Sequence, residues 1–301
     1  MAFKLLKASL PVGQSHFSTD KEKALLVLNN GTIEELSLTD GKKSREWSPK
    51  GIPPPYVMQR EGNWLIGRGP GGELRGTHVG DDGIAFSTKP MPGTIARPAI
   101  APNGKFIAVP YSDARVIRLF DTTSGEQTAE FADGVGGSSL LMVSPDHRFL
   151  VAAAFDATMR VFDLSTKKLV FQDLTLPMAL WAGAFGKDGN TYCLYAGSTD
   201  ARLYRFRHAH SEHGPEILAK GLPANVNQVA TFADGSVITA ESNPAGNSLP
   251  VVARYWSGPK MEPRVVADLP KTATHIDANP YGPKTALISD GTNQVRLVEV
   301  G

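Results

Sequence analysis

Short apolar stretches alternate with short polar turns along the whole chain. In one well-marked stretch the apolar runs are residues 106–109, 116–120 and 127–131, and turns rich in Asp, Ser, Thr and Gly separate them. Runs of β-branched and aromatic residues bounded by such turns are typical of strands joined by hairpins. No long amphipathic stretch with helix caps accompanies them, so the pattern predicts an all-β protein.

The polar turns recur at a nearly constant distance. Seven of them can be marked by one residue each, and successive markers are 41, 42, 43, 42, 46 and 47 residues apart. The markers are Lys21, Gly62, Gly104, His147, Gly189, Gly235 and Gly282. A period of about 40–45 residues with four strands per unit is the signature of propeller blades. The spacing therefore predicts a seven-bladed β-propeller of four-stranded antiparallel blades, with residues 1–301 forming a single domain.

The last repeat has only three predicted strands, in residues 274–278, 285–289 and 294–300. The N-terminal segment 2–10 contains four large apolar residues and has no other obvious partner. An incomplete last blade would leave unpaired strand edges and apolar surface in contact with water. We therefore expect segment 2–10 to pair beside segment 294–300 and to complete the last blade.

Charge and cysteine content limit the class of protein further. The chain has 31 Lys and Arg against 30 Asp and Glu, which argues against a nucleic-acid binder or a polybasic membrane-surface protein. The one cysteine, Cys193, cannot form an internal disulfide. The first residues contain no apolar run typical of a secretory signal, and no segment has the length of a membrane span. These features predict a cytoplasmic protein with neither nucleic acid nor membrane as a partner.

Segment 144–166 carries the most regular version of the repeat. It contains a Ser-Pro-Asp turn, an aspartate at position 156 and a predicted strand that ends in Phe162-Asp163. This arrangement resembles the WD40-repeat family of seven-bladed propellers, in which a Trp-Asp pair ends the third strand. Phe120-Asp121 matches the same position. No repeat has the family's Gly-His dipeptide or a true Trp-Asp pair, so the resemblance is to a diverged, bacterial-type member.

The resemblance also assigns a role to the aspartates of the turns before the third strands. They are Asp113, Asp156, Asp200 and Asp290. We expect them to accept hydrogen bonds from neighbouring backbone groups in tight turns, which is a structural role. The departures from the family pattern predict that its buried His–Asp hydrogen-bond network is absent or partial.

Two motifs that could carry chemistry have simpler explanations. His208, His210 and His213 are competent zinc ligands, but they belong to one predicted outer hairpin, so a solvated loop is favoured over a metal site. Segment 67–72 fits the pattern G-x-G-x-x-G, but no helix follows it to receive a pyrophosphate. We expect no metal, no other cofactor and no catalytic residue.

The remaining candidates are surface residues. In a propeller, the loops between consecutive blades share one face with the loops between second and third strands. The residues that we expect on this face as protein contacts are Tyr56, Arg68, Met91, Arg97, Tyr111, Asp113 and Trp181. Large aromatic and arginine side chains suit such contacts, although packing between blades explains Trp181 equally well.

These features together predict a non-enzymatic scaffold that presents a composite loop face to other proteins, as a monomeric propeller within a complex. The alternative is a lactonase-like or other hydrolase with a site at the mouth of a central channel. Several carboxylates converging with histidine or arginine would favour the enzyme. An apolar surface patch would favour the scaffold.

Overall fold

The computed structural model describes most of the chain. The described residues are 3–54, 56–59, 64–81, 83–90, 97–132, 137–188, 191–207, 215–242, 251–258 and 260–300. Strands are the regular elements of these ranges, and no helix occurs in them. The all-β prediction is therefore confirmed.

The described ranges contain twenty-eight strands. Their bounds are β1 Phe3–Lys7, β2 Val12–Phe17, β3 Lys23–Leu28, β4 Ile33–Ser37, β5 Lys43–Trp47, β6 Tyr56–Gln59, β7 Trp64–Arg68, β8 Leu74–His78, β9 Phe86–Ser87, β10 Ala99–Ile100, β11 Phe106–Tyr111, β12 Val116–Asp121, β13 Gln127–Phe131, β14 Ser138–Val143, β15 Phe149–Ala154, β16 Met159–Asp163, β17 Lys168–Asp173, β18 Leu180–Asp188, β19 Thr191–Ser198, β20 Leu203–Arg207, β21 Glu216–Ala219, β22 Asn225–Thr231, β23 Val237–Ser242, β24 Val251–Ser257, β25 Glu262–Leu269, β26 His275–Ala278, β27 Thr285–Ser289 and β28 Gln294–Glu299.

The strands form seven four-stranded sheets. Six sheets take four consecutive strands each, in the orders β2–β5, β6–β9, β10–β13, β14–β17, β18–β21 and β22–β25. We number these sheets as the first to the sixth blade. The seventh blade has the order β1-β28-β27-β26, so its outer strand comes from the N-terminus. The seven-bladed β-propeller and its completion by the N-terminal segment are both confirmed.

Aspartates explain why the chain reverses at many of the hairpins. Asp163 ends β16, and its Oδ1 accepts the backbone N–H groups of Ser165 and Thr166 at 2.9 Å. The Ser165 hydroxyl and these N–H groups lower the pKa of Asp163 to about 2. In the turns before the third strands, Asp156 accepts the backbone N–H of Thr158. The structural role expected for Asp156 is therefore confirmed.

Contacts between Cα atoms divide the chain into two compact units. One comprises Met1–Ser48, Trp181–Arg207 and Pro215–Gly301, and the other contains Pro49–Leu180. In the second unit, apolar side chains of the third and fourth blades, such as Ile117 and Phe162, form one buried cluster. The third and fourth blades thus bury apolar side chains against each other.

One hairpin glycine allows close approach between two blades. Gly125 has a φ of +72°, and a Cβ there would lie 2.2 Å from the carbonyl oxygen of Ser87. We expect Gly125→Ala to lower the free energy of unfolding by about 1–3 kcal/mol, because it adds a clash to an unfavourable backbone conformation. Gly221 has a φ of +68° and open space around it, so Gly221→Ala supplies the matched control. Urea unfolding should give the larger loss for Gly125→Ala, and equal losses would show that the close contact is unimportant.

Candidate functional site

Several of the predicted contact residues lie at one end of the second and third blades. Arg68 is the last residue of β7 and Tyr111 is the last residue of β11. Asp113 follows in the turn before β12 and is exposed. Arg97 is exposed two residues before β10, whose antiparallel pairing with β11 places this approach at the Tyr111 end of the sheet. The four residues thus belong to neighbouring loop ends.

Tyr111 is buried at this end, and the side chain of Arg118 stacks over its ring. Its side chain is only 3% exposed, and the Arg118 guanidinium lies 4.7 Å from the centre of its ring. Burial raises the pKa of the Tyr111 phenol, while the charges of Arg118 and Arg68 oppose this shift. Arg118 in turn pairs with Glu130, with 2.8 Å between Nε and Oε2. Tyr111 therefore supports Arg118 and offers little surface of its own to a partner.

Of the other predicted site residues, only Trp181 has a described side chain. Tyr56 begins β6, but its side chain is outside the described part of the chain. Trp181 lies in β18 with its side chain partly exposed. Met91 and the three candidate metal ligands His208, His210 and His213 lie outside the described residues.

One end of the fourth blade and the connector that follows it expose a group of large apolar side chains that the sequence interpretation did not select. Phe155 is 58% exposed, Leu174 is 56% exposed and Met178 is 46% exposed. Phe155 directly follows β15 and Leu174 directly follows β17. Both strands pair antiparallel with β16, so they end on the same side of the sheet, about 10 Å apart given the usual strand spacing.

The connector that carries Leu174 and Met178 is firmly anchored. At its start, Oδ1 of Asp173 accepts the backbone N–H and the hydroxyl of Thr175, both at 2.8 Å. Leu176 and Ala179 of the same connector are buried. Leu174 and Met178 therefore point to solvent from a segment that already buries its alternate apolar side chains. We call Phe155, Leu174 and Met178 the apolar surface.

Third strands carry a recurring arginine that the sequence interpretation also missed. It stands three residues before the last residue of the third strand in five blades. These residues are Arg75, Arg118, Arg160, Arg254 and Arg296. Arg75, Arg118 and Arg160 are 43 and 42 residues apart, so the repeat spacing was the signal that could have revealed them.

Four of the five arginines hold a carboxylate of their own blade. The pairs are Arg75–Glu73, Arg118–Glu130, Arg254–Glu241 and Arg296–Asp290. A guanidinium offers five donors in a fixed planar fork, which suits a carboxylate held against a strand. The arginine is therefore a structural element of the repeat, and its usual ligand is a carboxylate.

A second polar cluster joins β2 and β26. The imidazoles of His16 and His275 have centroids 4.3 Å apart. Nδ1 of His275 donates to the backbone carbonyl of Ser15 at 3.0 Å, and the backbone N–H of Phe17 donates to Asp277 at 2.9 Å. Asp277 also lies 3.9 Å from Nδ1 of His16. These contacts tie the first strands of the first and seventh blades together.

Within the described ranges, no three His, Cys, Asp or Glu side chains are placed to hold a metal ion, and no helix is long and apolar enough to cross a membrane. The chain matches no known protein-family model, and no curated protein sequence matches it.

Proposed function

We propose that this chain is a WD40-like propeller that binds another protein through the exposed end of its fourth blade. The observation that carries the proposal is the anchored connector that exposes Leu174 and Met178 and that begins at the same end of the fourth blade as Phe155. Large apolar side chains that are exposed at one end of a blade, on a backbone that is held in place, are typical of protein-binding sites.

The chemistry of the apolar surface fits this function. Phenylalanine and methionine are enriched at protein interfaces, and methionine adapts its shape to a partner. The backbone N–H of Phe155 donates to the carbonyl of Gly137 at 3.0 Å, which fixes the turn that carries the ring. A preformed surface loses little conformational entropy on binding, so more of the contact energy appears as affinity.

The surroundings of the apolar surface supply polar groups for a rim. Arg97 and Asp113 lie on loop ends of the adjacent third blade and Arg68 on the second blade, and all three blades belong to the same compact unit. The near balance of charge over the whole chain favours a protein partner over nucleic acid. One cysteine in 301 residues is in keeping with a reducing compartment, and we place the interaction in the cytoplasm.

The alternative of a hydrolase would draw on His16, His275 and Asp277, a cluster of described residues that combines imidazoles with a carboxylate. His16 and Asp277 are each 5% exposed, and Asp277 already accepts a backbone N–H. A substrate could not readily reach side chains that are buried to this extent. The scaffold is therefore the function that the geometry supports better.

Replacing the apolar surface should abolish partner binding without unfolding the chain. We expect Phe155→Ser combined with Met178→Ser to reduce the recovery of partner proteins at least tenfold in affinity purification, because interface anchors carry most of the binding energy. The free energy of unfolding should change by less than about 0.5 kcal/mol, since both side chains are exposed. Quantitative mass spectrometry of the recovered proteins gives the readout.

Ile217, which is 47% exposed on β21, supplies the matched control, Ile217→Ser. Charge reversal at Arg68 and Arg97 tests whether the binding surface extends to the second and third blades. Recovery of the same proteins by wild type and by the Phe155/Met178 double variant would refute the proposed function.

A further inference from the structure

One of the recurring arginines lacks the carboxylate that the other four hold. Arg118 of the third blade lies opposite Glu130 in the register of β12 and β13. Arg160 of the fourth blade has the same place in the register of β16 and β17, but the residue opposite is Gln172. Among the described residues, Arg160 has no ion pair with any carboxylate. Compared with the third blade, the fourth blade thus keeps the arginine and has an amide where the third blade has a carboxylate.

The hydrogen bonds of Arg160 leave donor groups unused. Its Nη1 donates to Oγ1 of Thr158 at 2.7 Å, and that hydroxyl donates to Oδ1 of Asp156 at 2.6 Å. Its Nε is buried and has no partner within the described part of the chain. A buried donor without an acceptor costs free energy, and Arg160 as a whole is only partly buried, so the outer part of its guanidinium is within reach of an acceptor supplied from outside.

The position of Arg160 connects these unused donor groups with the apolar surface. Thr158, which the guanidinium contacts, lies in the turn that Phe155 begins, between β15 and β16. The side chain of Arg160 therefore reaches the same end of the fourth blade as Phe155. A partner seated on the apolar surface would have the guanidinium within its footprint.

We propose that Arg160 is the carboxylate-binding residue of this surface, and that the partner is a protein segment with an Asp or Glu next to an apolar side chain. This inference rests on the proposed function. The other four recurring arginines bind carboxylates that come from different positions of their blades, so a carboxylate is the usual ligand of an arginine at this place in the third strand. Phe155, Leu174 and Met178 add contacts that an isolated phosphate would not use.

The repeat itself suggests the decisive variant. Gln172→Glu places a carboxylate opposite Arg160, as Glu130 stands opposite Arg118 at 2.8 Å. The internal carboxylate should occupy the guanidinium and compete with the partner. A small upward shift in the urea midpoint at pH 7, absent when Gln172→Glu is combined with Arg160→Gln, should report the new pair without any partner.

Binding can be tested with peptides selected from a random display library on the intact chain. We expect the recovered peptides to contain Asp or Glu beside an aromatic or aliphatic residue. Fluorescence anisotropy with one such synthetic peptide should show binding about 10- to 100-fold weaker for Gln172→Glu and for Arg160→Gln, as for loss of a hydrogen bond to a charged group. Changing the peptide's acid to its amide should cost as much in wild type and nothing further in Arg160→Gln.

The failures of the two proposals can be told apart. Peptides that bind through Phe155 but lack an acid, or whose affinity is unchanged by Arg160→Gln and Gln172→Glu, would overturn the carboxylate site and leave the proposed function standing. Selection of phosphate-dependent ligands or of nucleic acid in a parallel competition would also overturn it. Absence of any peptide whose binding depends on Phe155 would overturn both.

Discussion

A chain that lacks the N-terminal strand is expected to lose most of its folding stability. β1 pairs antiparallel with β28 from Phe3 opposite Val298 to Lys7 opposite Gln294. Removing residues 1–7 would leave the backbone groups of β28 without this ladder and would open a buried cluster to water. We expect this truncated chain to be recovered mainly as aggregate, and any soluble fraction to unfold at a much lower urea concentration than the whole chain.

Two adjacent leucines test the same strand by point substitution. Leu6 is fully buried and packs in a cluster with Leu26, Leu287 and Val295, whereas Leu5 is 45% exposed. Leu6→Ala should reduce the free energy of unfolding by about 2–5 kcal/mol, because it removes buried methyl groups and leaves a cavity. Leu5→Ala is the matched control and should cost less than about 0.5 kcal/mol.

Urea unfolding followed by intrinsic fluorescence measures both variants. Similar small losses for Leu6→Ala and Leu5→Ala would mean that β1 contributes little to the stability of the seventh blade. A soluble truncated chain with the unfolding midpoint of the whole chain would lead to the same conclusion.

The fold could be predicted because the signals that define it are local. A turn such as the one after Asp163 is specified by the aspartate and the residues that follow it, so each hairpin leaves its own mark in the sequence. The length of the repeat then identifies each group of four strands as a propeller blade, and the number of repeats gives the number of blades. The role of β1 followed from counting strands in the last repeat, which needs no knowledge of side-chain packing.

The candidate site was less accessible to sequence reasoning. Phe155 and Leu174 look like core residues, because large apolar side chains are buried in most positions. Their exposure depends on how a turn and a connector are anchored, through contacts such as that between Asp173 and Thr175. Exposure is equally hard to predict for Tyr111, which the sequence suggested as a contact residue. Its ring is buried under Arg118, and this contact depends on tertiary packing.

The relation between Arg160 and Gln172 depends on register. The pairing of β16 with β17 shifts between Val161 and Phe162, and the pairing of β12 with β13 shifts between Leu119 and Phe120. If residue pairs are counted from the hairpin and these bulges are ignored, each arginine is assigned the wrong residue on the neighbouring strand. That wrong partner would lie on the other face of the sheet. The comparison of Glu130 with Gln172 therefore becomes visible only with the strand pairing known.

Within one compact unit, two of the recurring arginines pair with carboxylates whose pKa values are shifted in opposite directions. The two pairs are therefore expected to change the stability of the fold in opposite ways as the pH falls. In the seventh blade, burial alone would raise the pKa of Asp290, but hydrogen bonds from Thr292 and Arg296 outweigh it and lower that pKa below 3.8. In the sixth blade, burial raises the pKa of Glu241 above 4.5 despite the opposing charge of Arg254. Glu241 is fully buried, and its Oε2 has no hydrogen-bond partner within the described ranges.

Asp290→Asn is expected to cost about 3–5 kcal/mol at neutral pH, because it leaves the buried Arg296 without its counter-ion. A lowered pKa in the folded state stabilises the fold at pH values above the ordinary pKa, so this advantage of wild type should shrink as the pH falls below 3.8.

Glu241→Gln should cost less stability at neutral pH than Asp290→Asn, because the buried carboxylate of Glu241 carries a desolvation penalty. A raised pKa means that the folded chain takes up the proton first, so the stability of wild type relative to Glu241→Gln should rise as the pH falls toward 4.5.

Urea unfolding of wild type and the two variants across a pH series measures both differences. The stability difference between wild type and Asp290→Asn should decrease toward acid, and the difference between wild type and Glu241→Gln should increase. Slopes of the same sign would show that the two arginine–carboxylate pairs have the same electrostatic setting. Opposite slopes would mean that the repeat fixes the arginine, while each blade determines how strongly its carboxylate holds a negative charge.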